Sequence, residues 1–136
     1  MSKETKDFRV IICGPRDFKD YEFLKSKCDA ILSRKLKDPE FKVIIVSGGS
    51  PGAERLGERY AKDNNIVLEV FPANFDKYGN RAGSIRNRQM AEKSNACIIF
   101  EPSLSVGEEK PSYIKSILSL SHSNKLLIRE VKIDKS

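Results

Sequence analysis

The sequence predicts a three-layer, Rossmann-like α/β fold, with helices on both faces of a mostly parallel sheet of about five strands. Short runs of β-branched residues alternate along the chain with segments in which apolar residues recur every three or four positions. Turns that contain glycine or proline follow these strand-like runs. Such alternation is typical of right-handed βαβ units, which build a parallel sheet covered by helices.

The first half of the chain reads as strand, helix, strand, helix. Residues 8–13 form a β-branched run closed by a Gly-Pro pair, and the apolar residues of 21–36 fall on one helical stripe. Residues 42–46 repeat the buried-strand pattern. They lead through a glycine-rich turn into a helix-compatible segment at 53–64.

The second half continues the alternation. Residues 66–71 form a third strand, and 73–83, rich in Asn, Asp and Gly, is predicted to be a loop. Ser84 is expected to cap a helix that runs to about residue 93. The remaining segments are a strand at 96–100, a loop at 101–111, a helix around 113–120 and an edge strand at 126–133 before a disordered tip.

Length and composition narrow the class of protein. The 136 residues suffice for one hydrophobic core, so a single domain over 1–136 is expected, with an ordered core at about 8–133. No apolar run approaches the roughly 20 residues that span a bilayer, and residues 1–7 lack the features of a secretory signal. We therefore expect a cytoplasmic protein without membrane contact.

The numbers of cysteine and histidine residues and the net charge limit the kinds of ligand and partner that are expected. Three cysteines without a CxxC pair and a single histidine do not make a metal-ligand set, so neither a metal nor a cofactor is expected. Cys13 and Cys97 lie in apolar runs and are expected to be core residues. The formal net charge of +6 favours anionic partners.

The turn between the second strand and the second helix is the strongest local indication of a ligand. Glycine lets main-chain amides approach an anion closely, and the amino end of the next helix adds unpaired N–H groups. The spacing matches neither the P-loop nor the dinucleotide fingerprint, which disfavours a kinase or a classical dehydrogenase. The alternative is a tight turn that needs glycine only for steric reasons. The predicted phosphate contacts are Ser47, Gly48, Gly49, Ser50, Gly52 and Ala53.

Two further turns place cations at the carboxyl ends of strands, where ligands bind in such folds. Gly14 and Arg16 follow the first strand, where the guanidinium could reach a phosphate or carboxylate. The alternative for this arginine is an exposed turn residue paired with the neighbouring Asp17. Gly83 stands at the start of the predicted third helix, and Arg86 and Asn87 are expected in its first turn. A cation there opposes the helix dipole and requires a compensating anion.

Four motifs, in this order, are similar to a known family pattern. They are Gly14-x-Arg16-x-Phe18, Gly48-Gly49-Ser50-Pro51-Gly52-Ala53, Phe71-Pro72-Ala73-Asn74 and Ala82-Gly83-x-x-Arg86-Asn87-x-x-Met90. Together they resemble the YspA-like branch of the SLOG superfamily, which is related to the LOG and DprA Rossmann-like domains. The resemblance covers about residues 8–107. It implies a Rossmann-like fold, recognition of a nucleotide or nucleotide-derived ligand and, by analogy with relatives, a homo-oligomer.

The chain departs from this pattern at two places. The branch usually carries Gly-Ala-Asp after the glycine turn, whereas this chain has Gly52-Ala53-Glu54, which keeps the carboxylate on a side chain longer by one methylene. The LOG phosphoribohydrolases carry a PGGxGTxxE motif after the fourth strand, whereas residues 102–109 read PSLSVGEE. Phosphate binding at that later turn, with its catalytic glutamate, is therefore not carried over.

Three functions compete. The leading interpretation is binding of a nucleotide or nucleotide-derived phosphate ligand, as a sensor, with Asn74 and Asp76 either contacting ribose or base or serving as turn formers. The first alternative is an N-glycosidic hydrolase of a nucleoside monophosphate or ADP-ribose-like compound. Its catalytic candidate is Glu54, with Glu101 or Glu108 second, although Glu54 also suits the first turn of a helix. The second alternative is binding of single-stranded nucleic acid, disfavoured because aromatic residues for a stacking platform are scarce.

Overall fold

Five parallel strands form one sheet in the order β3-β2-β1-β4-β5. The structure is a computed structural model that describes residues 4–133. All four neighbouring pairs run parallel, so the expected mostly parallel sheet is entirely parallel over the described residues. The strands are β1 (Lys6–Cys13), β2 (Phe41–Ser47), β3 (Val67–Val70), β4 (Ala96–Pro102) and β5 (Leu127–Ile133).

Helices cover both faces of this sheet, which confirms the predicted three-layer α/β fold. On one face, Val10 and Ile12 of β1 belong to the same buried cluster as Leu24 of the first helix. On the other face, Ile11 clusters with Met90 of the fourth helix. Because residues 10–12 of β1 are buried on both faces of the sheet, residues 10–13 form a continuous apolar run instead of an alternating pattern. The helices are α1 (Tyr21–Lys37), α2 (Ala53–Asp63), α3 (Phe75–Tyr78), α4 (Ala82–Lys93) and α5 (Ser112–Ser123).

The prediction of an irregular loop over 73–83 is wrong. The segment folds as the short helix α3 followed by a 3-10 turn at Gly79–Arg81. The Asn74 side chain caps α3 by accepting a hydrogen bond from the Lys77 amide at 3.0 Å. Helix α4 then begins at Ala82, two residues before the expected cap Ser84. A helix of one turn is too short to show an apolar period, so the sequence pattern does not distinguish it from a loop.

The two ends of the sheet are edge strands. Strand β5 pairs only with β4, as expected for an edge strand, and β3 pairs only with β2. The expected disordered tip beyond residue 133 lies outside the described residues. Within the described range, none of the helices combines the length and apolar character needed to cross a membrane.

The turn after β1 packs closely against the turn after β2 at Gly52. This residue has a φ of +81°, and a Cβ added to it would collide with the carbonyl oxygen of Pro15. The Ala53 amide, first in α2, donates a hydrogen bond to the same oxygen at 3.1 Å. Glycine is therefore required here both for its backbone conformation and for the close approach.

Replacing Gly52 by alanine tests this constraint. We expect Gly52→Ala to lower the free energy of unfolding by about 2 kcal/mol or more, because strain and collision act together. Gly83→Ala is the matched control: Gly83 lies in α4 with nothing within 4 Å of an added Cβ. That control should be neutral or up to about 1 kcal/mol more stable, by helix propensity. Urea unfolding measures both, and equal stability of the two variants would contradict the analysis.

Candidate functional site

A cavity of about 470 Å³ opens at the carboxyl end of the sheet, beside the end of β1. The chain continues from β1 to β2 on one side, whereas β4 lies on the other side, so the connections diverge at this point. Such a divergence leaves a crevice that commonly holds ligands in open α/β sheets. We call this the main cavity. It is lined by Cys13, Gly14, Pro15, Arg16, Asp17, Ser50, Glu54, Arg86, Asn87, Met90, Tyr113 and Ile117.

The main cavity brings together predicted residues from three distant segments. Those that line it are Gly14, Arg16, Ser50, Glu54, Arg86 and Asn87. The other residues of the glycine turn do not line it: Ser47, Gly48, Gly49, Gly52 and Ala53. Of these, Ser47, Gly48 and Ala53 are buried, so they pack inside the protein and do not face the cavity. Gly83, in α4, also lies outside the lining.

The peptide groups of Gly48 are held from both sides. Its amide donates to Oε1 of Glu54 at 2.7 Å, and its carbonyl accepts a hydrogen bond from Nη1 of Arg86. A Cβ on this residue would lie 2.6 Å from the Arg86 guanidinium carbon and 2.6 Å from Glu54 Oε1. Only glycine therefore lets the carboxylate from α2 and the guanidinium from α4 both approach the backbone of this residue.

Other amides of the glycine turn also have acceptors within the protein. The Gly49 amide donates to Oγ of Ser47 at 3.0 Å, and this hydroxyl donates to Glu58 at 2.7 Å. With the amides of Gly48 and Ala53 bonded to Glu54 and Pro15, three of the predicted phosphate donors are already paired. The side chains on the main cavity are therefore the more available ligand contacts.

Arg16 contributes a free cation to the main cavity. It is exposed, and it forms no ion pair with Asp17 or with any other carboxylate of residues 4–133. The alternative of a turn arginine paired with its neighbour is thus not what the structure shows. An unpaired guanidinium on a concave surface is suited to a phosphate or carboxylate.

Arg86 and Asn87 lie in α4, but not in its first turn. Because α4 begins at Ala82, both residues are in the second turn, so the argument from the helix dipole does not apply. The Arg86 guanidinium is instead stabilised by one hydrogen bond to a distant residue and one to its neighbour. Arg86 donates to the Gly48 carbonyl, and its Nε donates to Oδ1 of Asn87 at 2.9 Å. These two bonds fix the guanidinium and leave the Asn87 amide nitrogen as a donor.

Tyr113 is the main lining residue that sequence reasoning missed as a functional residue. In the sequence, Tyr113 is only the first residue of the helix predicted around 113–120. In the structure it is 44% exposed and lines the main cavity. Burial raises the pKa of its phenol, and the negative charge of Asp17 adds to the effect, so the hydroxyl stays protonated at neutral pH. The residue therefore offers a ring face and a hydrogen-bond donor. The sequence places this aromatic residue directly after the predicted loop at 101–111, but no local pattern connects it to Arg16.

The second-choice catalytic glutamates lie off the main cavity. Glu101 is 2% exposed at the end of β4 and accepts hydrogen bonds from Lys110, at 2.8 Å, and from Lys132. Burial raises the pKa of this carboxyl, but the two ammonium groups outweigh burial, so the pKa is below its ordinary value. Glu108 is exposed and accepts from the Ser105 amide at 2.8 Å. Glu54 is therefore the candidate that reaches the cavity.

A second, smaller space of about 180 Å³ adjoins the main cavity and shares Arg86 with it. We call it the side cavity. Asn74 lines it while capping α3, so the turn role is observed and the ligand role stays a prediction. Asp76 instead borders an open groove with Phe75. The side cavity is lined by Pro72, Asn74, Lys77, Tyr78, Ala82, Ile85, Arg86 and Gln89.

The Cys13 thiol in the main cavity is not activated. Cys13 lines the cavity, and its Sγ lies 3.9 Å from Sγ of the buried Cys97. The hydrogen bond to Cys97, followed by burial, raises the pKa of the Cys13 thiol well above its ordinary value. Burial also raises the pKa of Cys28 to about 12. Within residues 4–133, no three Cys, His, Asp or Glu side chains are grouped to hold a metal ion.

Cysteine alkylation tests this electrostatic environment. Because the thiolate is the reactive form, a raised pKa keeps both thiols protonated at pH 8. We expect iodoacetamide to label Cys13 and Cys28 at least about tenfold more slowly in the folded protein than in the chain unfolded in urea. Peptide mass spectrometry gives each rate, and rapid labelling of Cys13 in the folded state would contradict the prediction.

Comparisons with known proteins confirm the predicted family resemblance. The family model described as the YspA, cpYpsA-related SLOG family matches residues 8–78, which contain Arg16 and Glu54. The curated Gene 61 protein of Mycobacterium phage D29 is 30% identical over 105 residues, or 73% of this chain and 81% of that protein. A solved structure described as a predicted subunit of tRNA methyltransferase from Methanocaldococcus jannaschii is 16% identical, with a TM-score of 0.41. That alignment covers 91% of this chain and 66% of the other, just under two thirds of its length.

Proposed function

Because the chain belongs to the YspA, cpYpsA-related SLOG family, we propose that it binds a nucleotide or a nucleotide-derived phosphate ligand in the main cavity. The observation that carries this proposal is the convergence on one cavity of the turn after β1, the start of α2, and helix α4. Each contributes a polar or charged side chain there. These segments are far apart in the chain, so one ligand in this cavity would contact all three of them.

The main cavity suits a nucleotide in size and chemistry. Its volume of about 470 Å³ lies within the roughly 300–1,000 Å³ of small-ligand pockets. Tyr113, Met90 and Ile117 offer an aromatic and apolar surface for a base. The Arg16 guanidinium and the Asn87 amide supply donors for phosphate and sugar oxygens.

Binding without turnover, as in a sensor, is the form of the proposal that the Glu54 contacts favour. The Glu54 carboxylate already holds the Gly48 amide at 2.7 Å. Moving Glu54 to act on a ligand would release the turn that it stabilises. A structural duty of this kind is compatible with a rigid, pre-formed binding site.

Hydrolysis of an N-glycosidic bond is a second candidate, supported by one observation. Glu54 is 9% exposed and presents a carboxylate to the main cavity. In this reaction a water oxygen bonds to the anomeric carbon while the C–N bond breaks, and the base departs with the electron pair and takes up a proton. The carboxylate would stabilise the oxocarbenium-like transition state or accept the proton of water.

Ligand binding is tested by thermal shift with AMP, ADP-ribose, NAD, cyclic nucleotides and single-stranded DNA. We expect stabilisation by at least one nucleotide. We also expect Arg16→Ala to weaken that binding about tenfold, by loss of a charge-assisted hydrogen bond. Arg88→Ala, an exposed arginine of α4 outside both cavities, should bind like the wild type. If no nucleotide stabilises the protein, the proposal fails; a salt-sensitive shift with DNA alone would favour nucleic-acid binding instead.

Glu54→Gln separates binding from catalysis. Its amide oxygen can still accept the Gly48 hydrogen bond, so the fold and the binding should persist. Chromatography of each mixture shows whether free base is released by the wild type. If the enzyme hypothesis holds, the variant binds but releases base at least about 100-fold more slowly. Absence of base with the wild type would rule out hydrolysis of the tested ligands and leave the binding proposal intact.

A further inference from the structure

The side cavity is lined by two cationic side chains. Lys77 and Arg86 line it, and none of its lining residues is acidic. Neither cation forms an ion pair with a carboxylate of the described residues. Lys77 lies 5.1 Å from the centre of the Tyr78 ring, and Arg86 donates only to neutral oxygens. Two like charges that share a concave surface favour an anion between them.

The neutral polar groups of the side cavity are compatible with the same occupant. The Asn74 carbonyl oxygen is engaged by the Lys77 amide, so its NH₂ group is left as a donor. Gln89 adds an amide group and Tyr78 a phenol. Donors and cations together are the groups that bind phosphate oxygens.

The main cavity differs from the side cavity in its charge balance. Arg16 and Arg86 face the main cavity together with Asp17 and Glu54, so its formal charges cancel. Because the carboxylates offset the cations, this space accepts a nucleoside with one phosphate, held by Arg16, at a lower electrostatic cost than a second phosphate. With Arg86 balanced on this side, the uncompensated charge is that of Lys77, so the excess positive potential lies in the side cavity.

We propose that the side cavity is an anion subsite for a second phosphate group. The ligand class is then nucleotides with more than one phosphate, such as nucleoside diphosphates and their esters, lying across Arg86. This inference rests on the proposed function of the main cavity. The side cavity, at about 180 Å³, is below the size of a ligand pocket and holds a group instead of a whole nucleotide.

Calorimetric titration with the ribonucleoside 5′-monophosphates and the matching diphosphates tests the subsite. The proteins are the wild type, Lys77→Ala, and Lys62→Ala as a control that removes an exposed lysine outside both cavities. We expect the wild type and the control to bind the diphosphate about tenfold more tightly than its monophosphate. Lys77→Ala should lose this gain while keeping the monophosphate affinity, and Lys77→Arg should restore it.

The opposite results are distinguishable. If the wild type binds nucleotides but Lys77→Ala keeps the diphosphate preference, or weakens both ligands equally, the subsite is overturned and the proposed function stands. If the wild type binds neither class of nucleotide, the subsite is overturned, and the proposed function is overturned with it when the thermal-shift screen also finds no nucleotide that binds. Millimolar inorganic phosphate is the last arm: Lys77-dependent binding of phosphate without a diphosphate preference would mean a site for free phosphate and would overturn the two-phosphate ligand. Circular dichroism confirms that each variant is folded.

Discussion

The double hydrogen bonding of Gly48 is the constraint on which the candidate site depends. Its amide is held by Glu54 of α2 and its carbonyl by Arg86 of α4, so one residue joins two helices that are separated in sequence. A side chain at this position would displace both partners. The positions of the glycine turn and of Arg86 are therefore set together, and with them the boundary between the main and side cavities.

In this arrangement the main-chain amides of the turn stabilise the turn itself, and the side chains are left to contact a ligand. In many phosphate sites the glycine amides contact the ligand directly. Here the amides of Gly48 and Gly49 are satisfied by Glu54 and Ser47, which stabilises the turn without a ligand. Since buried amides without acceptors are costly, the internal bonds allow the site to be pre-formed. Recognition is then left to Arg16 and the other side chains that reach the cavity.

Arg86 links the two halves of the proposed ligand site. Its hydrogen bonds to Gly48 and Asn87 restrict its side chain, so its charge is positioned before any ligand binds. Opposing carboxylates balance that charge on the side of the main cavity, whereas Lys77 adds to it on the other side. A molecule with a weakly charged body and an anionic end would match this difference in potential.

The strands and the longer helices of the fold could be predicted from the sequence because each of them has its own local pattern. Strands buried on both faces show unbroken apolar runs, as in 10–13 and 96–100, and the longer helices show an apolar stripe. The four-residue helix α3 has no such period, so the loop predicted there was wrong, and the start of α4 was misplaced with it. The location of the candidate site at the carboxyl end of the sheet followed from topology alone.

Which residues meet at that site could not be read in the same way. Nothing near Gly48 indicates that its carbonyl binds Arg86, 38 positions later, or that Tyr113 lines the same cavity as Arg16. Local propensities depend on neighbours within a few residues, whereas these contacts depend on how the loops leave the sheet and on which helices cover each face. The sequence alone therefore established the layered fold and the edge of the sheet at which the main cavity opens. The partners of each site residue, and the separation of charge across Arg86, arose only when distant segments packed together.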